Sequence, residues 1–384
     1  MRSFFLLFFS VYFGATAFVS WHMMDVLKPF KVKYILLVIY IVLGLAVFLG
    51  RFWGKHLPLE MSAFLTRLGY IWMSLLTYMF VWSVVWLVLR LFKVGPVLDT
   101  HRILFFFGEV ALCLIIFLIG YINAYDVRVV THHLETEKST SLRVVQISDV
   151  HLGFMNSERQ FEKVVNKINS LEPDILLITG DFIENEHNYA VKKGIGQSIK
   201  NINPPLGKWA VTGNHEYIAG IETSMEYMNG LGIKVLRDSS VLIDDGLLLI
   251  GREDRSMRRW AEVSPLSLDE VLSQNITSTE VSALQTAKEA LTILMTHQVS
   301  DHFEYMDKNI DLVVSGHTHF GQLFPFTIVT KKMFDIAYGL EKRGNTYMYV
   351  SSGTGVWGPP FRMGTISEII VFEISSANLR LARR

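Results

Sequence analysis

The sequence predicts a layered α/β domain preceded by an all-α transmembrane region of four helices, and three observations point to it. Half of the 384 residues are hydrophobic and 19% are charged, with a mean hydropathy of +0.31, above the level of an ordinary soluble domain. The apolar residues are unevenly spread: long uncharged stretches fall before residue 126, and short β-branched runs follow it. Charge divides at the same place. Residues 1–123 hold ten Lys and Arg against four Asp and Glu, a net +6, so the balanced total of 36 bases and 36 acids leaves −6 on the rest. A basic, greasy front half and a mildly acidic back half read as a membrane anchor over 1–125, a linker over 126–141 and a globular domain over 142–384, long enough for one well-buried core. This composition excludes a disordered chain and a basic nucleic-acid-binding domain, so no nucleic-acid partner is expected. Protein partners are not readable.

Four stretches match the roughly 17–25 residues that cross a bilayer: Ser3–Met24, Tyr34–Gly50, Leu68–Leu89 and Ile103–Tyr125. The first three contain no Asp, Glu, Lys or Arg, and basic residues such as Lys28, Arg51 and Arg90 bound them. Trp21, Trp53, Trp72 and Trp86 lie toward span ends, where amphipathic rings favour the interface. Arg2, the run Phe4–Phe13 and Ala15-Thr16-Ala17 loosely match a cleavable signal peptide, but apolar residues continue to Met24, as a retained span requires. Glu109 is the one formal charge inside a span, about two turns from its end, which suits a structural or interfacial role. Single Cys113 in an apolar run forms no intrachain disulfide and says nothing of redox compartment. Four spans place both termini on one side, and flanking bases divide seven against six between the faces, which is no positive-inside signal. The expectation is a multi-pass protein of the cell membrane, leaning to a cytoplasmic globular half.

In that half, Leu142–Ser148, Asp174–Thr179, Lys208–Thr212, Leu247–Gly251, Leu291–Thr296, Asp311–Ser315 and Tyr347–Ser351 read as buried strands. Helix candidates, including Ser157–Ser170 and Ile221–Leu231, lie between several of them, which predicts sheets buried under helices. Residues 252–290 are less regular and read as an insertion with a helical part that shapes specificity.

Strand after strand runs into a ligand-bearing segment. The first leads to Asp149-Val150-His151, the second to Gly180-Asp181, the third to Gly213-Asn214-His215-Glu216, the fifth to His297, and the sixth to Gly316-His317-Thr318-His319. Ligands spread over 170 residues can converge, because α/β sheets form sites at the carboxyl ends of their strands. Alternate residues in D-x-H and H-x-H can point the same way, and Asp181, with two oxygens, can bridge two cations. Carboxylate, amide oxygen and imidazole together suit Mn, Fe or Zn rather than Ca or Mg. Gly180, Gly213 and Gly316 are expected to let the backbone turn sharply and carry the ligands inward.

This series resembles the calcineurin-like metallophosphoesterase superfamily over roughly residues 140–375. Within it the chain is similar to the membrane-anchored bacterial branch of YkuE-like phosphoesterases and lipid A-pathway UDP-diacylglucosamine pyrophosphatases. The stretch Ser352-Gly353-Thr354-Gly355 and Pro360-Phe361-Arg362 shares that resemblance. It implies a four-layer α/β/β/α sandwich with two divalent metal ions, Mn being favoured. On the family pattern Asp149, His151 and His319 would hold one ion, Asn214, His297 and His317 the other, and Asp181 both. His215 would contact phosphate and protonate the leaving oxygen, a role suited to an imidazole.

Two features bear on the substrate. Arg255 belongs to a cluster with Arg252, Arg258 and Arg259 just after a strand, and arginine forks suit phosphate. Arg362, in a Pro- and Gly-rich loop near Trp357, could cover the site. A bilayer anchor beside a complete ligand set predicts a phosphohydrolase acting on a lipid-linked phosphoester or pyrophosphate. The alternatives are soluble nucleotide or phosphoprotein substrates, or a transmembrane sensor or transporter with a regulatory metal domain. The spans lack the paired charges and broken helices expected of an ion path.

Overall fold

In the computed structural model every residue is described except 1, 93–94, 139, 185–187, 245, 275, 277–281, 299–301, 307 and 377–384. The chain divides into two compact units, one of residues 1–122 with 358–361, the other of 123–357 with 362–384.

The first unit is helical, with α1 (Arg2–Val26), α2 (Val32–Phe52), α3 (Leu59–Leu91) and α4 (Arg102–Tyr125). Among the described residues α2, α3 and α4 are long and apolar enough to cross a membrane. The expected fourth span is corrected: α1 is a helix, but it is not among them. Thr16, Ser20 and His22 of α1 are buried, and Asp25 lies near its end. Helices α2 and α3 touch closely where Gly69 meets Val47, whose backbone a Cβ at position 69 would strike. Two charge pairings stand out among the described residues of this unit. His22 Nε2 lies 2.9 Å from Glu109 Oε2, both side chains 2% exposed, and Arg90 reaches Asp25 at 2.5 Å and Asp99 at 2.9 Å.

The second unit is built on twelve strands: β1 (Val127–Thr136), β2 (Leu142–Ile147), β3 (Ile175–Thr179), β4 (Lys208–Val211), β5 (Lys234–Val235), β6 (Ser239–Ile243), β7 (Leu247–Gly251), β8 (Leu291–Met295), β9 (Leu312–Ser315), β10 (Gly339–Arg343), β11 (Thr346–Val350) and β12 (Ser367–Ser376). They form two six-stranded mixed sheets, ordered β1-β12-β2-β3-β4-β5 and β10-β11-β9-β8-β7-β6. All seven expected strands are present. The expected linker is corrected, since most of it is β1, which pairs in parallel with β12 from Val127↔Ser367 to Thr136↔Ser376.

Strand periodicity builds the layers. Leu247, Leu249, Ile293 and Met295 pack with Val144, Ile175, Leu177 and Phe372 between the sheets, while Leu248, Ile250 and Leu294 face the other way. Those outer residues are covered by Leu268, Val271, Leu272 and Ala283 of the 252–290 segment, so the described part of that segment supplies the outer helical layer of its sheet. Helix Glu158–Ser170 starts at a capping box, with the Ser157 N–H donating to Gln160 Oε1 at 2.8 Å, and buries Phe161, Val164, Val165 and Ile168 at helical spacing. The result is an α/β/β/α sandwich.

Candidate metal centre

The carboxyl ends of β2, β3, β4, β8 and β9 carry Asp149, His151, Asp181, Asn214, His215, His297, His317 and His319, and the fold gathers all eight into one cluster, six of them buried and Asn214 and His317 half-buried. Three overlapping groups have donor atoms within 4.8 Å of one another: Asp149 with His151 and His319, His151 with Asp181 and His215, and Asp181 with His297 and His317. Asp181 and His151 each belong to two groups. Asn214 Oδ1 joins them 3.3 Å from His297 Nε2, which lies 3.1 Å from Asp181 Oδ2.

The backbone here is held in a conformation that L-residues rarely adopt. Five of these side chains sit at positive φ: Asp149 at 52°, His151 at 48°, Asp181 at 50°, His317 at 71° and His319 at 46°. Such left-handed residues are sparse and persist where surrounding structure enforces them, commonly at functional sites. The glycine expectation is thereby corrected in part. Gly180 does turn at φ 82°, but the sharp turns fall mostly on the ligands, whereas Gly213 serves close approach. A Cβ there would strike Asp181 Oδ1.

Hydrogen bonds fix which atoms face the centre. His297 Nδ1 is 2.8 Å from the Thr179 carbonyl, to which it can only donate, so its Nε2 lone pair points toward Asp181 and Asn214. The His215 N–H donates to Asp181 Oδ1 at 2.8 Å, and the His317 N–H to the Asp149 carboxylate at 3.1 Å. Two buried acids outside the expected set complete the frame. Glu184 lies 3.0 Å from His151 Nδ1 through one oxygen and 3.0 Å from His215 Nδ1 through the other, turning both Nε2 atoms inward. Glu216 accepts the N–H groups of Asp181 at 3.0 Å, Ile183 at 3.1 Å and Gly213 at 2.7 Å, joining the loops after β3 and β4. Glu184 was findable: it stands three residues after Asp181, and its spacing puts an acid on the loop that bears a ligand.

The donor set fits a pair of cations. Asp149, Asp181 and Glu184 are fully buried, yet nearby imidazoles outweigh the burial and hold their carboxyls below the usual carboxylate range. Buried carboxylates need positive charge beside them. Burial, reinforced by neighbouring His297 for the first, lowers His317 and His319 to about 4, so they are neutral imidazoles able to give a lone pair. The Nε2 atoms of His151 and His319 face each other at 3.0 Å, a geometry two lone pairs adopt around a shared cation. Burial lowers His215, but Glu184 and Asp181 prevail and push it up to about 9.

The two arginines lie differently. Arg255 is exposed in the turn after β7, beside exposed Arg258 and Arg259, whereas Arg252 pairs with Asp238 at 3.4 Å and Glu304 at 3.2 Å. Arg362 is fully buried. Its NH2 donates to the carbonyls of Ser352 and Gly355 at 2.7 Å and lies 3.4 Å from His319 Nδ1, so it braces a ligand from beneath rather than covering the site. Trp357 does stand at the rim, half exposed, with its ring 6.4 Å from that of His215.

The calcineurin-like phosphoesterase family matches residues 142–321. An uncharacterized metallophosphoesterase of Aquifex aeolicus is 32% identical over 262 residues, 66% of this chain and 94% of that protein. YkuE of Bacillus subtilis, also an uncharacterized metallophosphoesterase, is 28% identical over 62% of this chain and 80% of its own. A Danio rerio transmembrane protein with metallophosphoesterase domain is 30% identical over 63% of this chain, and the match spans 55% of that protein.

Proposed function

The chain belongs to the calcineurin-like metallophosphoesterase family, and from that premise we propose that it is a membrane-anchored hydrolase of a phosphoester or pyrophosphate bond, using two divalent metal ions. The observation that carries this reading is the buried convergence of Asp149, His151, Asp181, Asn214, His297, His317 and His319 around one centre. In it Asp149, His151 and His319 would hold one ion, Asn214, His297 and His317 would hold the second, and Asp181 would serve both. Mn suits the mixed oxygen and imidazole donors, with Fe or Zn as alternatives. When bound, the ions supply Lewis-acid polarisation of the phosphoryl oxygens and lower the pKa of a bound water.

The chain's own groups do the rest. His215 is the proton donor to the leaving oxygen: Glu184 grips its Nδ1, which leaves Nε2 toward the pocket, 4.0 Å from Asp181 Oδ2. Glu216 positions Asp181 by holding its backbone N–H. Exposed Arg255 is the remaining candidate for contact with substrate charge, while Arg362 steadies His319.

The substrate proposed is a lipid-linked or lipid-derived phosphate, because three membrane-spanning helices keep the centre near a bilayer. Soluble nucleotides or phosphoproteins are the alternative class, and a cytoplasmic placement of the sandwich is part of the proposal. The test is hydrolysis by detergent-purified protein, with and without Mn, of a lipid pyrophosphate beside a soluble nucleotide. Metal-dependent turnover favouring the lipid is expected. Turnover of the nucleotide alone would sink the substrate class, and loss of neither activity in His215→Ala would sink the assigned donor.

A further inference from the structure

The segment directly after the ligand loop of β9 has its polarity reversed. Helix Phe326–Met333 turns Thr327 and Thr330 inward, where they are buried, and presents Phe326, Ile328, Val329 and Met333 to the outside. Phe324, just before it, is 52% exposed, Phe326 is 51% and Met333 is 71%. A helix on a water-facing surface buries its apolar side and shows its polar one, so this arrangement is the opposite of what water selects. A contiguous exposed apolar face of this kind marks a surface that something apolar covers.

What covers it follows from charge and attachment. Exposed Lys331 and Lys332 lie on the same helix, Lys331 with its Nζ 5.3 Å above the Phe320 ring. The neighbouring acid Asp335 pairs with Arg343, which leaves the helix face basic. Apolar side chains interleaved with lysines suit the boundary between acyl chains and anionic headgroups. Strand β1 begins at Val127, two residues after the membrane helix α4 ends at Tyr125, so the sandwich is tied to a bilayer by a tether too short to leave it. We infer that Phe324–Met333 is an interfacial docking element that inserts its apolar face into an anionic bilayer surface.

Docking there places the metal centre at the headgroup level. The Trp357 N–H donates to Gln322 Oε1 at 3.0 Å and Gln322 Nε2 donates to the Trp357 carbonyl at 3.1 Å, while the Phe324 N–H donates to the Met363 carbonyl at 2.8 Å. These bonds tie the docking segment to the rim residue beside His215. Phosphate carried on a headgroup then reaches the centre without leaving the membrane. The last step rests on the proposed phosphohydrolase function; the docking does not.

The test uses the full chain in a Cys113→Ser background, reconstituted into vesicles of phosphatidylglycerol and phosphatidylcholine. A nitrobenzoxadiazole label is placed at Ile328→Cys or, as a control, at Glu289→Cys. Glu289 is exposed just before β8, at the end of the sandwich opposite the ligand loops. Nitroxide-labelled lipids are expected to quench the label at 328 at least about twofold more than at 289, with the order reversed for aqueous iodide. Equal iodide quenching at both positions would overturn the inference. A label at 328 shielded from both quenchers would also overturn it, since a second copy of the chain or another protein would then cover the face. Neither readout requires turnover, so failure of the hydrolase reading and failure of docking are told apart.

Discussion

The helical unit and the sandwich both bury charge, and they settle it in opposite ways. In the helical unit buried Glu109 faces buried His22, and partly exposed Asp25 and Asp99 share Arg90. In the sandwich Asp149, Asp181 and Glu184 crowd one pocket among imidazoles, with Arg362 behind His319. The first arrangement is complete in itself and holds helices in register. The second is complete only when cations enter, and the left-handed backbone at five of its residues shows how much surrounding structure is committed to keeping it open. Buried charge that is internally matched reads as architecture, and buried charge in excess reads as a binding site.

Substitutions can break this contrast, beginning with the largest expected effect. Asp181→Asn removes a carboxylate that touches both halves of the centre, and metal-dependent hydrolysis should fall by at least about 1,000-fold in steady-state assays. Glu184→Gln keeps the shape but weakens the grip on His215 and His151. Its kcat should drop by about 100-fold with KM little changed, within the range for general acid catalysis. Glu109→Ala leaves His22 buried without its partner and should destabilise the helical unit by about 3 kcal/mol, read as a lowered Tm in detergent. Activity per folded molecule should stay unchanged; a loss comparable to that of Asp181→Asn would contradict the contrast.

The smallest effect lies away from the centre. Glu368 is fully buried on β12 and accepts bonds from Tyr338, Tyr349, Ser351 and the Ser352 N–H; burial nevertheless raises its carboxyl above the usual value. A raised carboxyl favours the folded state while protonated, and that contribution is lost as pH rises through the folded pKa. Glu368→Gln can keep the three bonds accepted by Oε1 and, with its amide nitrogen donating to the Tyr338 oxygen instead of accepting, does not ionise. Its stability relative to the native chain should therefore improve from acidic to alkaline pH, by about 1 kcal/mol, in thermal unfolding at several pH values.

Much of this was legible in the chain. Each ligand follows a short apolar strand, and strand ends in α/β layers point to one crevice, so the eight clustered residues could be named before any coordinates. Strand β1 was hidden because Arg128, His132, His133 and Glu135 interrupt its apolar pattern, and its pairing partner β12 lies about 240 residues away. Glu184 and Glu216 act through side-chain contacts that spacing hints at but cannot orient. Arg362 looked like a lid because its loop is rich in Pro and Gly, yet its guanidinium NH2 donates to carbonyl groups that only the folded chain brings together. The reversed helix Phe326–Met333 carries an ordinary mix of residues in sequence; only burial shows which side faces out.

The central claim is that the sandwich's surplus of buried carboxylate exists to hold two divalent ions. Metal analysis of the purified full chain, beside Asp181→Asn, tests it directly. Two ions per chain in the native protein, reduced in the variant, are the predicted result. A native protein that binds no divalent ion, or a variant that keeps the native stoichiometry and affinity, would contradict it.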